Sequence, residues 1–276
     1  MKERINDALK RATGYQLQKA SQPKPKPAKP KPKAVQAAKP KPAPKKKKAL
    51  PKDYDDEARA IIGAVRPYTM TDSDKIFALI QATRYVSRHA IPGDVVECGV
   101  WRGGSMQAAA RTLISAGDTE RDLYLFDTYE GMPPPSAEDV RHDGRPAEDL
   151  LATAERESSK VWAVATLDDV QDGFAKVPYP AERVHFVKGL VEDTIPEGAP
   201  EQIAILRLDT DWYESTKHEL EHLYPRLSPG GVLLLDDYGY WKGARQAVDE
   251  FLEQTGERLL LTRMASGRLA VKPFSS

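Results

Sequence analysis

Two largely apolar runs limit the fold of this chain more than any other feature: Ile203–Leu208 (IAILRL) and the start of Gly231–Asp237 (GVLLLDD). A strand with one wet face alternates apolar and polar residues. Runs without that alternation are buried on both faces, as in a parallel sheet covered by helices. Further strand-like segments lie at Asp94–Cys98, Leu123–Phe126 and Arg183–Lys188, with a weaker, closely spaced pair at Arg258–Thr262 and Leu269–Lys272. Helical patterns fall between several of them, at Ser105–Ser115, Leu167–Phe174, Ser215–Tyr224 and Ala244–Gln254. An earlier helix is expected to start from an N-cap at Asp72 and run to His89. The alternation predicts a mainly parallel α/β sheet closed by a terminal hairpin, in one domain over 52–276.

The zero net charge of the 276 residues conceals a division. Residues 1–51 hold 16 Lys/Arg against 2 Asp/Glu, and the remainder 25 against 39, so a basic arm of +14 precedes a body of −14. Within the arm, residues 22–51 contain 11 Lys, 9 Pro and no acid. That composition supports no helix ladder and buries no core, and it predicts an extended, disordered linker. Ile5, Leu9 and Ala12 fall at helical spacing, which predicts a short amphipathic helix over 1–21, interrupted at Gly14. The arm offers contact to an anionic surface or an acidic partner. Cys98 is the sole cysteine, which excludes an intramolecular disulfide and a Cys-based zinc site. No apolar stretch approaches the ~18 residues of a membrane span, and the N-terminus lacks a signal-peptide core. A cytoplasmic protein is expected.

The chemistry gathers at strand ends. The first strand runs into VVECGVWRGGS (Val95–Ser105), where Glu97 is followed by Gly99 and Gly103 before a helix begins. This spacing differs from the dinucleotide fingerprint G-x-G-x-x-G. A pyrophosphate needs free backbone N–H groups at a helix N-terminus, whereas a cationic amino-acid cofactor such as S-adenosylmethionine gains from a carboxylate, which Glu97 supplies. A plain tight turn is the simpler alternative. Asp127 ends the second strand, where an acid accepts hydrogen bonds from ribose hydroxyls or merely holds a loop. Asp209 (in RLDTDWYE) and Asp236 and Asp237 (in LLLDDY) also end strands. If those strands are neighbours, the three carboxylates converge and repel unless protonated or neutralised by a cation. Three oxygen ligands with room for water and substrate suit Mg²⁺ or a similar hard divalent ion. Trp101, Tyr129 and Trp212 are placed beside this crevice, to pack on adenine, on a sugar or in the core. His142 falls in a loop near the site. His218 and His222 read as a surface pair rather than a zinc site.

Taken together, VVECGVWRGGSM, LYLFDTYEGMP, HFVKGLVEDTIP, LRLDTDWYEST, LYPRLSPGGVLLLDDY and ARQAVDEF resemble the macrocin O-methyltransferase family, from about Tyr68 to Phe251. The Lys/Pro arm falls outside the resemblance. It implies a Rossmann-like class I methyltransferase fold, with a mainly parallel seven-stranded sheet and helices on both faces. It implies S-adenosylmethionine and Mg²⁺, and methylation of a hydroxyl on a sugar, a glycosylated natural product or a glycan. It maps metal binding onto Asp209, Asp236 and Asp237, and cofactor binding onto Asp127 and the loop carrying Glu97, Gly99, Val100, Trp101, Gly103 and Ser105. The metal arrangement is also similar to that of catechol O-methyltransferase, but the position of that enzyme's catalytic lysine is Trp212 here. The proton of the acceptor would pass to Asp209, Asp211 or a nearby histidine, with Asp211 preferred as a base. Met70 would fold over the cofactor, and the segment Pro133–Lys160 would shape the acceptor pocket. A homo-oligomer is compatible with all of this. The rival readings are an NAD(P)-dependent enzyme and a non-catalytic scaffold whose arm recruits partners.

Overall fold

A computed structural model describes Arg11, residues 49–156 and residues 159–274. The expected helix over 1–21, apart from Arg11, and the linker over 22–51, apart from residues 49–51, lie outside the described residues. Ala49–Ser276 forms one unit by itself.

The strands are β1 (Asp94–Cys98), β2 (Leu123–Asp127), β3 (Val184–Lys188), β4 (Ile203–Leu208), β5 (Leu227–Leu235), β6 (Thr262–Met264) and β7 (Gly267–Val271). They make one sheet in the order β3-β2-β1-β4-β5-β7-β6. β1 to β5 are mutually parallel, and β7 runs antiparallel to both β5 and β6. The helices are α1 (Asp56–Val65), α2 (Ser73–Arg88), α3 (Gly104–Ala116), α4 (Ala147–Thr153), α5 (Leu167–Phe174), α6 (Val191–Thr194), α7 (Tyr213–Leu223) and α8 (Lys242–Thr255).

Alternate strand residues supply two cores. Val95, Leu123, Leu125, Ile205 and Leu234 join Leu79 and Val86 of α2, Met106 and Leu113 of α3 and Phe174 of α5. Val96, Phe126, Leu206, Leu233 and Leu235 join Leu220 of α7 and Val248 and Phe251 of α8. Helices therefore cover both sheet faces, which is why the strands read as continuous apolar runs. α1 forms a further layer, its Ile61 and Ile62 packing with Ile76 and Ile80 of α2 and Ala108 of α3. Its N-cap is Asp55, whose carboxylate accepts the Ala58 N–H at 2.9 Å.

Three expectations need adjustment. Asp72 is the N-cap of α2 but makes no side-chain capping bond. The strand expected over Val232–Leu235 is β5, which begins five residues earlier, at Leu227, running through Pro229, Gly230 and Gly231 instead of turning there. The strand expected at Arg258–Thr262 starts only at Thr262, because Leu259 and Leu261 pack against the second core without joining the ladder.

The strand order reverses between β1 and β4, so connections leave their carboxyl ends toward opposite sides and open a crevice, the usual ligand position in such sheets. Among the described residues, no helix is long and apolar enough to cross a membrane.

Candidate functional site

The loop after β1 is built around Asp127. One of its carboxylate oxygens accepts the N–H groups of Val100 (2.7 Å) and Trp101 (2.9 Å), and the other accepts the Tyr129 N–H at 2.7 Å. Asp127 thus ties the β1 and β2 loops together. Burial raises its pKa against these backbone donors. Gly99 has φ +82°, and a Cβ there would lie 2.0 Å from the Asp209 carbonyl oxygen, so this turn touches the end of β4. Gly103 is the N-cap of α3.

β4 and β5 are neighbours in register, with Leu208 opposite Leu235, so the acids that follow them meet. Ligand oxygens of Asp209, Asp236 and Asp237 all lie within 4.8 Å of one another, the only such potential metal cluster among the described residues. The Asp211 N–H approaches an Asp237 carboxylate oxygen at 3.3 Å, and the Trp241 indole N–H donates to Asp211 Oδ1 at 2.6 Å.

Two buried cations that sequence reasoning did not assign to the site hold this cluster. Arg207 lies at its base. Its guanidinium donates to Glu97, to Asp209 at 2.8 Å, to Asp236 at 2.5 Å and to Thr71 at 3.2 Å. Lys75 of α2 donates to the Asp236 carboxylate and, at 3.0 Å, to its main-chain carbonyl. The one available signal for Arg207 was a charge inside an otherwise apolar run, since a buried charge requires partners.

Five carboxylates (Glu97, Asp209, Asp211, Asp236, Asp237) therefore face two cations. Burial, reinforced by the neighbouring carboxylates and opposed by Arg207, pushes Asp209 well above the usual range. Burial and the carboxylates of Asp211 and Asp236 do the same to Asp237. Asp211 is raised to about 7, first by burial and then by Asp209. Glu97 is raised to about 7 by burial, against the pull of Arg207. Asp236 alone is held low: burial pushes it up, but Arg207 and Lys75 outweigh that push. An all-oxygen donor set with more negative charge than its cations balance fits a hard divalent ion.

These groups open into a cavity of about 400 Å³. Of the expected site residues, Met70, Gly99, Trp101, Asp127, Asp209, Asp211, Asp236 and Asp237 line it. Glu97, Val100, Gly103 and Ser105 do not: Glu97 is sealed beneath with Arg207, and Val100 and Ser105 are buried in the packing around α3. Trp212 lines the cavity and crosses Trp241 edge to face at 4.9 Å between ring centres. Tyr129 turns inward instead, its hydroxyl donating to the Leu125 carbonyl at 2.8 Å. His142 is exposed, and its neighbour Arg141 lines the cavity in its place. The His218 and His222 rings lie 4.4 Å apart at a tilt of 54°, with His218 against the Ile195 carbonyl. The segment expected to shape an acceptor pocket contributes Pro133, Leu150 and Lys160 to the lining. It is held to the start of α8 by a bridge between Arg141 and Trp241.

Comparison with known proteins identifies a family and a fold. The Macrocin-O-methyltransferase (TylF) family model matches residues 7–264, a longer span than the motifs alone indicated and one that takes in the Lys/Pro arm. The chain is 35% identical over 189 residues to a Streptomyces olivaceus enzyme named 8-demethyl-8-(2,3-dimethoxy-alpha-L-rhamnosyl)-tetracenomycin-C 4'-O-methyltransferase, covering 68% of this chain and 69% of that one. It is 35% identical over 190 residues to the mycinamicin III 3''-O-methyltransferase of Micromonospora griseorubida, covering 68% and 72%. Among solved structures, the O-methyltransferase NovP superposes with a TM-score of 0.65 at 31% identity, covering 75% of this chain and 83% of that chain. The calicheamicin methyltransferase CalS11 shares the fold, with a TM-score of 0.56 at 17% identity over 78% and 91%.

Proposed function

The chain belongs to the macrocin O-methyltransferase family, and from that premise we propose that it transfers the methyl group of S-adenosylmethionine to a hydroxyl of a sugar, in a glycosylated small molecule or a glycan. Neither a dinucleotide-dependent enzyme nor a non-catalytic scaffold fits that membership. The observation that carries the reading is a single cavity walled both by the β1 and β2 loops, through Gly99, Trp101 and Asp127, and by the acids ending β4 and β5.

S-adenosylmethionine brings an electrophilic sulfonium methyl, and Mg²⁺ or a similar ion on Asp209, Asp236 and Asp237 would orient an acceptor hydroxyl and lower its pKa. The rest falls to the chain. Asp127 fixes the loop on which Trp101 meets the cofactor. Asp211 takes the acceptor proton as the new C–O bond forms and the C–S bond breaks. Its indole partner Trp241 fixes its orientation, and a pKa of about 7 suits a base working at neutral pH. The remote lining from Pro133, Leu150 and Trp212 positions the acceptor, which is where much of the acceleration in a displacement arises.

The test is incubation of the protein, S-adenosylmethionine and Mg²⁺ with glycoside and glycan fractions, followed by mass spectrometry. A gain of one methyl group on a sugar, lost with Asp236→Asn and much reduced with Asp211→Asn, is expected. Binding of the methyl donor without transfer to any saccharide would overturn the substrate class.

A further inference from the structure

We propose that Lys75 is the resident counter-ion of the acidic cluster, an ammonium that balances Asp236 in the absence of a divalent ion and limits how tightly the cluster takes one. The proposal rests on the reading of Asp209, Asp236 and Asp237 as a dication site.

Lys75 reaches the cluster from α2, a layer separate from the strands that carry the acids. The Lys75 and Asp236 side chains are 8% and 7% exposed. The ammonium is fixed by two contacts to one residue, the Asp236 carboxylate and its main-chain carbonyl. Arg207 takes the other Asp236 oxygen, so both oxygens already face a cation. Asp237 and Asp209 also act on the Lys75 charge.

The two cations are not equivalent. Arg207 sits in β4 and is bound to three carboxylates, Glu97, Asp209 and Asp236, and to Thr71. It does not line the cavity, whereas Lys75 does, beside Thr71 and Asp72. A guanidinium held in a fixed fork is a permanent part of the floor. A lysine ammonium is a point charge on a flexible four-carbon stem, able to shift when a second cation arrives. A buried carboxylate stripped of its partner is costly, so the fold needs such a charge before any ion binds. Once an ion sits among the three acids, the same ammonium repels it. Lys75 thus trades ion affinity for a fold that does not depend on the ion.

The test uses the full-length chain and its Lys75→Met and Lys75→Arg variants. Mn²⁺ is titrated by electron paramagnetic resonance, and melting is followed with and without Mg²⁺. Without divalent ions Lys75→Met should melt below the wild type, and saturating Mg²⁺ should raise its Tm by more than it raises the wild type's. Its Mn²⁺ Kd should fall by about tenfold or more, since one charge beside a dication at contact range is worth at least that even in water-like surroundings. Lys75→Arg should bind Mn²⁺ as the wild type does. A purely structural ion pair would lower Tm equally with and without Mg²⁺ and leave Mn²⁺ affinity unchanged or weaker; that result overturns the proposal. Failure of the wild type to bind Mn²⁺ would instead remove the dication reading itself. If Lys75→Met does not fold without ions, Lys75→Met/Asp236→Asn should, because the unbalanced charge is gone. A double variant that also fails to fold refutes the counter-ion role.

Discussion

Replacing Gly99 with alanine should be among the most damaging single-methyl additions in this protein, and its effect should reach the acids across the sheet. The residue has φ +82°, a conformation that costs an L-residue about 1–2 kcal/mol. The added Cβ would lie 2.0 Å from the Asp209 carbonyl oxygen and 2.5 Å from its carbon. An ordinary C···O approach is about 3.3 Å, so more than about 1 Å must be recovered by moving backbone. Both sides resist. The Gly99 N–H is bound to the Phe126 carbonyl at 2.9 Å, and the Asp209 N–H to the Cys98 carbonyl at 2.8 Å. Overpacking of this kind adds about 1–3 kcal/mol, giving a combined loss of about 2–5 kcal/mol. Gly117→Ala is the internal control: its φ is +69° but nothing lies within 4 Å of its added Cβ, so only the conformational cost of about 1–2 kcal/mol applies. Urea unfolding of both variants in chelator, with Mn²⁺ titration of the folded forms, measures the difference. Gly99→Ala should lose the greater stability and also weaken Mn²⁺ binding by displacing Asp209. Equal losses in the two variants would refute the steric argument.

Exhaustive chelation should abolish methyl transfer and leave far-UV circular dichroism unchanged, with Mg²⁺ restoring turnover; full activity in chelator would refute a metal role for Asp209, Asp236 and Asp237. Asp127→Ala leaves the Val100, Trp101 and Tyr129 N–H groups without their acceptor, and calorimetry should show binding of S-adenosylhomocysteine weakened by about 1–3 kcal/mol. Asp55→Ala removes the N-cap of α1 and a partner of Arg84, at about 1 kcal/mol in urea unfolding near neutral pH. Arg84 holds the Asp55 carboxyl below its ordinary value, so this stabilisation is complete above the unfolded carboxyl pKa of about 4 and disappears as pH falls through the lower folded value, and the difference between variant and wild type should shrink with it. A chain trimmed to Ala49–Ser276 should keep its turnover on a small soluble acceptor, and any association of the full chain with anionic vesicles should weaken steeply with salt.

What the sequence disclosed and what it withheld divide along one physical line. Strand ends are legible where a buried apolar run gives way to an acid and the loop that follows it, although β1 and β4 each carry one buried charge, Glu97 and Arg207. Asp127, Asp209 and Asp236 therefore announced both the ends of β2, β4 and β5 and their place in the crevice. The convergence of Asp209 with Asp236 and Asp237 then needed only that β4 and β5 be neighbours, as they are. The inward turn of Tyr129 was not legible, because it depends on a left-handed residue (φ +53°) that no local pattern demanded. Nor was the early start of β5, where Pro229-Gly230-Gly231 has the composition of a turn yet stays within the strand, in the register shift between the Ile203–Leu227 and Ile205–Val232 pairs.

The cations were hidden for a deeper reason. Apart from the Arg207–Asp209 contact, Arg207 and Lys75 find their partners far along the chain: Glu97 lies 110 residues from Arg207, and Asp236 lies 161 from Lys75. A sequence shows acids crowding at strand ends but not what makes the crowding tolerable. Yet the tolerance decides the chemistry. With Arg207 alone, Asp236 would keep one oxygen without a cation at a buried position, and the fold would depend on a bound ion. On the counter-ion proposal, Lys75, supplied by a helix rather than by the sheet, would let the cluster form first and admit its ion afterwards. On the same proposal, the acids that would hold an ion and one of the two cations that let them be buried, Lys75, are thus set by different layers of the fold, and substitution in α2 should tune ion affinity without altering any carboxylate.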